Sequence, residues 1–488
     1  MNSQFCILAA LLLPFIGALF VLLTRSNINL RETSTLIISI ALIYVVYTLL
    51  TDVLNGVYPE LYLFDVTPGL AIHFQIEPLG MLFACIASFL WFFNSIYSIS
   101  YMRSNQYKRQ TRFYIFFALA IASTIGIAFS ANLFTLFIFY ELLTLTTYPL
   151  VTHKETDEAK QAGRVYLGIL LTTSICLFLP AIIWTYQLAG TIHFTRGGVF
   201  NSHQESIVIV ILLIIFVYGI GKAALMPVHR WLPSAMVAPT PVSALLHAVA
   251  VVKAGVFSVV KIILYIFSPE LLSDTIDFNL LLYLAGTTIL IASIIALRSD
   301  NLKRRLAYST ISQLSYVILA TALLVPISIA GAVLHILAHA FGKITLFFAA
   351  GSIYTATQKT EVSQLNGIGR SMPWTMLAFT IGSLSMIGVP PTVGFLSKWF
   401  ILQGALGIQS WFAVSIIIIS TLLNAAYFLP IVYSAFFRDA KIKSDQHYRE
   451  APFPIVFTVF STACITVILF FFPETPLQLI GLLIGADV

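Results

Sequence analysis

Eight side chains that can gain or lose a proton lie inside long apolar segments of this sequence. They are Glu141, Lys222, His247, Lys253, His335, His339, Lys343 and Lys398. A charged side chain at the centre of a membrane helix costs roughly 2.5–3.5 kcal/mol on insertion scales, so such residues face the protein interior or water. Burial disfavours the charged form of a lysine, and a nearby carboxylate favours it again. These residue types therefore predict groups that take up and release protons.

For three of the eight residues, the sequence also allows a purely structural role without proton transfer. Glu141 is the only charge in "LFIFYELLTLTTYPLV" and could belong to an ion pair with no role beyond stability. Lys222 and Lys398 could extend to an interface along their aliphatic stems. Lys253 lies near the middle of its segment, which makes that alternative weaker for it.

His335, His339 and Lys343 follow one another at i, i+4 and i+8, so they share one face of a helix. A single buried histidine is more often a hydrogen-bonded core residue, but three titratable groups in one stripe favour a proton relay. Two histidines four apart also suit zinc. No acidic or cysteine partner is close by, and we predict no metal site.

The elements that position these residues are membrane helices. The chain has 488 residues, of which 59% are hydrophobic and only 9% are Asp, Glu, Lys or Arg. A soluble domain carries about 25% charged residues, whereas repeated apolar runs of about 20 residues are typical of a polytopic membrane protein. Four cysteines lie far apart, and neither a GxGxxG nor a P-loop sequence is present. We therefore expect no cofactor and no redox centre in this chain.

The apolar runs predict an all-α polytopic membrane protein with about fourteen transmembrane helices. The spans lie near 5–24, 33–51, 79–99, 112–129, 131–151, 163–186, 206–224, 242–266, 279–297, 303–323, 327–354, 372–402, 411–437 and 452–472. The first is interpreted as a retained span and not as a signal peptide, because no basic residue precedes it.

The charges of the loops alternate along the chain. Basic residues collect in the loops after spans 3, 9 and 13, which contain Arg103, Lys108, Arg109 and Arg112, then Arg298, Lys303, Arg304 and Arg305, then Arg438, Lys441, Lys443 and Arg449. The loops after spans 2 and 8 are acidic, with Asp52, Glu60, Asp65 and Glu77, then Glu270, Asp274 and Asp277. By the positive-inside rule, both termini then lie on the non-cytoplasmic side of the cell (inner) membrane.

Spans 7 and 12 differ from the others because glycine and proline interrupt them. Span 7 contains Gly219, Gly221 and Pro227, and span 12 contains Pro390 and Pro391. Interrupted helices at matching positions of two inverted repeats indicate an ion site near the midplane. Grouping by five gives residues 1–111 as three N-terminal helices, 112–267 and 268–437 as inverted five-helix repeats, and 438–488 as a basic loop with a last helix.

Other polar residues near the ends of spans are interpreted as interface anchors. Lys261 falls near the outer end of span 8, and His229, Arg230 and Trp231 fall at the mouth of the broken span 7. Long and amphipathic side chains commonly reach the membrane surface from such positions.

Four segments together resemble the proton-translocating antiporter-like family. They are "KAALMPVHRWLPSAMVAPTPVSALLHAVAVVKAG", "NLKRRLAYSTISQLSYVILA", "LHILAHAFGKITLFFAAG" and "GVPPTVGFLSK". The family includes the large membrane subunits of respiratory complex I, subunits A and D of Mrp-type cation/proton antiporters, and equivalents in membrane-bound hydrogenases. The resemblance covers roughly residues 75–440 and implies fourteen helices with inverted five-helix repeats.

The resemblance also implies roles for the buried charges. Glu141 matches the glutamate of helix 5, and Lys222 matches the helix-7 lysine that pairs with it. Lys253, with His247 before it, matches the connecting position of helix 8. The central helix-11 histidine is His339, with His335 on the same face, and Lys398 matches the exit residue of helix 12. Some members carry a carboxylate in helix 6, and "GRVYLGILLTTSICLFL" has none.

Two functions of different classes follow from the resemblance. The compact length favours a D-type subunit of a multisubunit sodium/proton antiporter. The alternative is the antiporter-like subunit of an NADH:quinone oxidoreductase or a membrane-bound hydrogenase, in which redox chemistry occurs in other subunits. A scaffold that has lost transport is a third, weaker interpretation. The expected partners are other membrane subunits, protons, possibly sodium, and the lipid bilayer, but no nucleic acid.

Overall fold

A computed structural model of the chain describes residues 3–67, 69–200, 204–275, 279–439 and 449–485. Asp277, Lys441 and Lys443, which contribute to the predicted loop charges, lie outside these ranges. About four fifths of the described chain is helical. The long helices are α1 (Ser3–Leu23), α2 (Ile28–Leu54), α3 (Pro78–Ser104), α4 (Gln110–Ala128), α5 (Leu133–Val151), α6 (Asp157–Ala189), α7 (Ser206–Gly219), α8 (Thr240–Phe267), α9 (Asn279–Arg298), α10 (Leu302–Ala322), α11 (Pro326–Thr357), α12 (Pro373–Ile387), α13 (Val393–Gly407), α14 (Trp411–Phe437), α15 (Phe453–Phe471) and α16 (Glu474–Ile484).

Eleven helices of the described chain are long and apolar enough to cross a membrane. The chain is therefore a polytopic membrane protein, as predicted. The other three predicted spans do not form a single helix that meets this criterion of length and apolar character. Span 7 is represented by the 14-residue helix α7, span 12 is divided between α12 and α13, and α10, although 21 residues long, is not among the eleven.

The prediction of an all-α fold is wrong in one place. Strands β1 (Glu60–Thr67) and β2 (Leu70–Gln75) form an antiparallel hairpin between α2 and α3. The sequence "ELYLFDVT" is rich in residues that favour strands. Strands of eight and six residues do not stand out beside membrane helices, so the hairpin was not predicted.

The loops that follow the odd-numbered predicted spans meet on one side of the bundle, which we call the basic face. Its contacts include an ion pair between Arg112 and Glu155, whose Nη1 and Oε1 atoms are 2.6 Å apart. Further along the chain, the Lys303 ammonium donates a hydrogen bond of 2.6 Å to the carbonyl of Ala238. Lys154, Ala238 and Lys303 line one cavity, so these segments are neighbours, as the alternating loop charges predict.

The β-hairpin meets the even-numbered connections on the other side, which we call the hairpin face. The backbone N–H of Gln75 donates to the carbonyl of Phe129 at 2.8 Å, and that of Val199 donates to Ile266 at 2.9 Å. Arg196 donates to the carbonyl of Leu482 in α16 at 3.0 Å. The loops after odd-numbered and even-numbered spans thus lie on opposite faces, as the alternating loop charges predict.

Helix α11 is the centre of the bundle. It packs against α3, α8, α10, α12, α13 and α15, and its most apolar stretch is entirely buried. A helix that is apolar all round and surrounded by other helices has no lipid-facing side, so its polar residues contact protein. Here those residues are His335, His339 and Lys343.

Candidate functional site

The helix break at Gly221–Ala223, a single turn of 3₁₀ helix, places Lys222 inside the bundle. Its backbone groups are satisfied by aromatic side chains. The Tyr140 hydroxyl accepts from the Lys222 N–H at 3.1 Å, and the Trp231 indole donates to the Gly221 carbonyl at 3.0 Å. A broken helix is tolerated at membrane depth when other protein groups satisfy its backbone in this way. Trp231 is fully buried, so the prediction that it anchors at an interface is wrong.

A glycine of α8 lets this break approach closely. A methyl group at Gly255 would lie 2.2 Å from the Ala223 nitrogen and 2.3 Å from the Lys222 carbonyl carbon. Only glycine permits backbones to meet at this distance. The backbone of the break therefore rests on α8 at Gly255, two residues after Lys253.

The Lys222 ammonium binds neutral oxygen atoms of α5. It donates to the Tyr140 carbonyl at 2.7 Å and to the Thr144 hydroxyl at 2.6 Å, and it lies 3.1 Å from the centre of the Tyr140 ring. Lys222 is completely buried. A buried ammonium needs such partners because burial of an unpaired charge is strongly unfavourable.

Glu141 follows Tyr140 on α5 but forms no ion pair with Lys222 in the described chain. Both carboxylate oxygens are buried and lack a hydrogen-bond partner among the described residues. Glu141 adjoins Tyr140, whose carbonyl binds the Lys222 ammonium. Glu141 shares a helix face with Leu145, which is 53% exposed, so its side chain lies near the outer surface of the bundle.

His339 lies at the contact between α8 and α11. Its Nδ1 atom is 2.8 Å from the Lys253 ammonium. Both residues are completely buried. An imidazole and an amine at this distance share a hydrogen bond along which a proton can move.

The other polar residues of α11 contact different helices, although they were predicted to form one stripe. His335 Nδ1 lies 2.9 Å from the Ser397 hydroxyl of α13. Lys343 donates to the Ser309 hydroxyl of α10 at 2.6 Å, and the Tyr427 hydroxyl of α14 donates to that same oxygen at 2.9 Å. One helix thus connects α8, α10 and α13 through polar contacts.

His247 stands apart from these contacts. It occupies a wide turn of α8 at Leu245–Val249, and its ring centre lies 4.7 Å from that of Phe347. Neither ring nitrogen has a hydrogen-bond partner within the described part of the chain. The structure therefore places His247 in the core next to α11 but not in a direct contact with Lys253.

Lys398 lies on α13 and binds the end of α12, so it connects the two parts of the second broken helix. Its ammonium donates to the last carbonyls of α12, those of Met386 at 2.8 Å and Ile387 at 3.0 Å. Carbonyl groups at a helix C-terminus have no partner within the helix and attract cations. Gly388, with a φ of +90°, turns the chain there, and a side chain at this position would contact Lys398. Lys398 directly follows Ser397, the partner of His335.

A buried lysine–carboxylate pair was missed by the sequence analysis. Lys261 is 1% exposed, and its ammonium lies 2.7 Å from the carboxylate of Glu77, at the start of α3. The prediction that Lys261 anchors at an interface is therefore wrong. A signal was present, because Lys261 follows Lys253 by eight residues and so falls on the same helix face.

A bundle of membrane helices that encloses a connected set of protonatable side chains is the architecture of an antiporter-like membrane subunit. Residues 130–424 match the family described as "NADH:quinone oxidoreductase/Mrp antiporter, TM". This match covers more than half of the chain. The chain belongs to this family, in agreement with the resemblance noted from its motifs.

Two relatives illustrate the range of the family. NADH-quinone oxidoreductase subunit N of Desulforudis audaxviator (strain MP104C) is 33% identical over 389 residues, which is 79% of this chain and 77% of the relative. NAD(P)H-quinone oxidoreductase subunit 5, organellar chromatophore 1, of Paulinella chromatophora is 30% identical over 428 residues, which is 81% of this chain but only 62% of the relative.

Two solved structures share the fold. A chain in the structure of the Mrp complex from Dietzia sp. DQ12-45-1b superposes with a TM-score of 0.87 at 19% identity, covering 99% of this chain and 97% of that one. A chain of the archaeal membrane-bound sulfane sulfur reductase superposes with a TM-score of 0.85 at 24% identity, covering 98% and 97%. At these identities the two structures establish a common fold.

Proposed function

We propose that this chain translocates protons as one subunit of a multisubunit membrane complex, through Lys222, Lys253, His339, His335 and Lys398. The observation that carries the proposal is the series of buried polar contacts along this route. Lys253 contacts His339, His335 contacts Ser397, and Ser397 adjoins Lys398. Between them, the rings of His335 and His339 have centres 6.4 Å apart. Intramembrane ionisable residues with such partners mark proton relays.

Uptake and release are controlled at Lys222 in this mechanism. Its neutral partners Tyr140 and Thr144 hold the ammonium, and Glu141 is the next residue of α5 after Tyr140. A carboxylate near an ammonium favours the protonated form. Movement of the Glu141 carboxylate, which lies near the bundle surface, changes that balance. A neighbouring subunit that contacts α5 is placed to cause such a movement.

The energy available is of the right size for this control. Moving one charge across 100 mV involves about 2.3 kcal/mol. Loss of one hydrogen bond to a charged group changes the free energy by about 1.5–3 kcal/mol. A rearrangement around a single lysine is therefore sufficient to redirect one proton.

We assign the chain to a D-type subunit of a sodium/proton antiporter as the first possibility. In support, a chain of the Dietzia Mrp complex superposes over nearly the whole length. The second possibility is the corresponding subunit of an NADH:quinone oxidoreductase or a membrane-bound hydrogenase. Identity of 33% to an NADH-quinone oxidoreductase subunit N favours it. In both cases the sodium path and any redox centre belong to other subunits.

Proton flux in inverted membrane vesicles that contain the whole native complex tests both possibilities. Sodium-induced flux without an electron donor would support the antiporter, and flux that requires NADH or another donor would support the redox complex. Lys222→Met should reduce either flux at least tenfold, whereas Lys160→Met, at an exposed position of α6, should not. Normal flux in an assembled Lys222→Met complex would refute proton translocation through this route.

A further inference from the structure

The Glu77–Lys261 pair is unlike every other lysine contact in the described residues. Lys160 and Asp157 form the other lysine–carboxylate pair there, and both are exposed. In the first pair, the Lys261 side chain is 1% exposed and the Glu77 side chain is 13% exposed. A buried ion pair contributes little to stability because desolvation offsets the attraction. Its presence in a membrane helix therefore suggests a function.

Several groups hold Lys261 in place beside this carboxylate. Its ammonium also donates to the carbonyl of Ser130 at 2.8 Å and lies 4.6 Å from the centre of the Phe194 ring. Both Ser130 and Phe194 belong to connections on the hairpin face. Lys261 is consequently fixed at the end of the bundle opposite to the basic face.

The pair forms part of the wall of a cavity that reaches the hairpin face. The cavity has a volume of about 400 Å³, and its wall combines apolar side chains with the polar groups of Glu77, Lys261, Gln75 and Tyr265. Thr195 and Arg196 form an exposed rim. A cavity of this size with several polar groups in its wall has room for several water molecules, since each occupies about 30 Å³ in the liquid.

Helix α8 connects this cavity to the proposed proton route. Lys253 and Lys261 lie eight residues apart on one face, which corresponds to about 12 Å along the helix axis. Lys253 contacts His339 on one side, and the α8 glycine that follows it contacts the Lys222 break. Helix α8 therefore leads from Lys253, which contacts α11, to Lys261 at the cavity.

We propose that Glu77 and Lys261 form a second proton-release site, which opens the first half of the chain directly to the hairpin face. This inference rests on the proposed proton route up to Lys253. Protonated Lys261 transfers a proton to the Glu77 carboxylate, so that an N–H bond breaks and an O–H bond forms. The carboxylic acid then protonates water in the cavity. Neutral Lys261 is reprotonated through water from the side of Lys253.

Double neutralisation separates this role from a structural one. Glu77→Gln or Lys261→Gln alone leaves one buried charge unpaired and should reduce the amount of assembled complex. The double variant Glu77→Gln/Lys261→Gln removes both charges, so assembly should recover, but proton flux per assembled complex should fall at least threefold. Normal flux in the assembled double variant would overturn the proposal.

Two further variants test whether the loss of flux is specific to the Glu77–Lys261 site. Glu60→Gln neutralises an exposed carboxylate on the same face and should leave flux unchanged. Adding Lys398→Gln to the double variant should abolish the flux that remains, because both release routes are then lost. If Lys222→Met keeps normal flux, the failure belongs to the proposed function and not to this site.

Access to the cavity provides an independent measurement that does not depend on neutralising the pair. Gln75→Cys is placed in a background in which Cys6, Cys85, Cys176 and Cys464 are serine and flux is normal. A membrane-impermeant maleimide should label this cysteine from the side of the hairpin face only, and labelling should reduce flux at least twofold. Absence of labelling, or labelling with full flux, would contradict the proposal.

Discussion

The Lys222 ammonium is held by oxygen atoms that carry no formal charge. Its two hydrogen bonds go to the Tyr140 carbonyl and the Thr144 hydroxyl. Lys343 and Lys398 follow the same pattern, with a serine hydroxyl and helix carbonyls as partners. Neutral acceptors stabilise the ammonium less than a carboxylate would. The protonated form is therefore less strongly retained, as a transfer site requires.

Removal of the Thr144 hydroxyl should weaken proton translocation without disturbing the fold. A hydrogen bond to a charged group contributes about 1.5–3 kcal/mol, so Thr144→Val should reduce flux about tenfold or more. Thr144→Ser keeps the hydroxyl and should retain most of the flux. Flux is measured in vesicles at equal amounts of assembled complex. Equal rates for the valine and serine variants would show that the hydroxyl does not serve Lys222.

His153 should make stability depend on pH. This residue lies outside the membrane helices, in the turn after α5, where burial and then the nearby Arg112 charge lower its pKa to about 4. In an unfolded chain the pKa of histidine is about 6.5. Between these two values the unfolded state binds more protons than the folded state, so stability falls as pH decreases through that window.

The apparent Tm of the purified complex between about pH 7.5 and about pH 5 tests this expectation. His153→Gln should show a smaller decrease in Tm over this range than the unchanged protein. His193→Gln, at an exposed position of the hairpin face, serves as the control and should behave like the unchanged protein. A slope that is the same in all three proteins would be inconsistent with a buried, neutral His153.

The contact between α8 and the broken helix depends on one glycine. Gly255→Ala would place a methyl group 2.2 Å from the Ala223 nitrogen, where no side chain can move aside. Overpacking of this kind costs about 1–3 kcal/mol. We expect a lower apparent Tm and a loss of flux, since the break carries Lys222.

Gly168→Ala on α6 is the matched control, because nothing lies within 4 Å of the added methyl group. Glycine to alanine in a helix interior is favourable by up to about 1 kcal/mol where space permits. The control should therefore keep or slightly raise the Tm. A Gly255→Ala complex as stable and active as this control would show that the backbone contact is not required.

Sequence patterns predict helices better than the contacts between them. The interruptions at Gly219–Gly221 and Pro390–Pro391 were visible because glycine and proline act locally. The stripe of His335, His339 and Lys343 was also visible, because it depends only on spacing within one helix. Its burial is expected because charged side chains avoid lipid. Which neighbour each side chain meets depends on helix packing, so the contacts of Lys343 with α10 and of His335 with α13 could not be read from spacing.

The Glu77–Lys261 pair is another contact between helices that spacing along the sequence could not reveal. Glu77 was counted among loop acids, and Lys261 was assigned to an interface, because their positions in the sequence are 184 residues apart. Only the packing of α3 beside α8 brings them together. The β-hairpin was missed for a different reason, since its eight- and six-residue strands are too short to stand out beside membrane helices.

The two faces of the molecule predict its orientation in the membrane. Basic residues are collected on the basic face, which by the positive-inside rule is cytoplasmic. In a cysteine-free background, Lys160→Cys should react with an impermeant maleimide only in inverted vesicles. Glu60→Cys should react only in intact cells or spheroplasts. The reverse pattern would place the basic face outside and reverse the direction of the proposed proton route.

The central position of α11 has a consequence for the order of events. No carboxylate in the described residues forms an ion pair with Lys253, Lys343 or Lys398, whose ammonium groups contact a histidine ring, a serine hydroxyl and helix carbonyls. Two positive charges about 10 Å apart repel by about 1.7 kcal/mol at an effective dielectric constant near 20. Simultaneous occupancy of neighbouring lysines is therefore disfavoured. On the proposed route, a proton on one lysine would therefore disfavour a second proton on the next, and we expect protons to pass one after another.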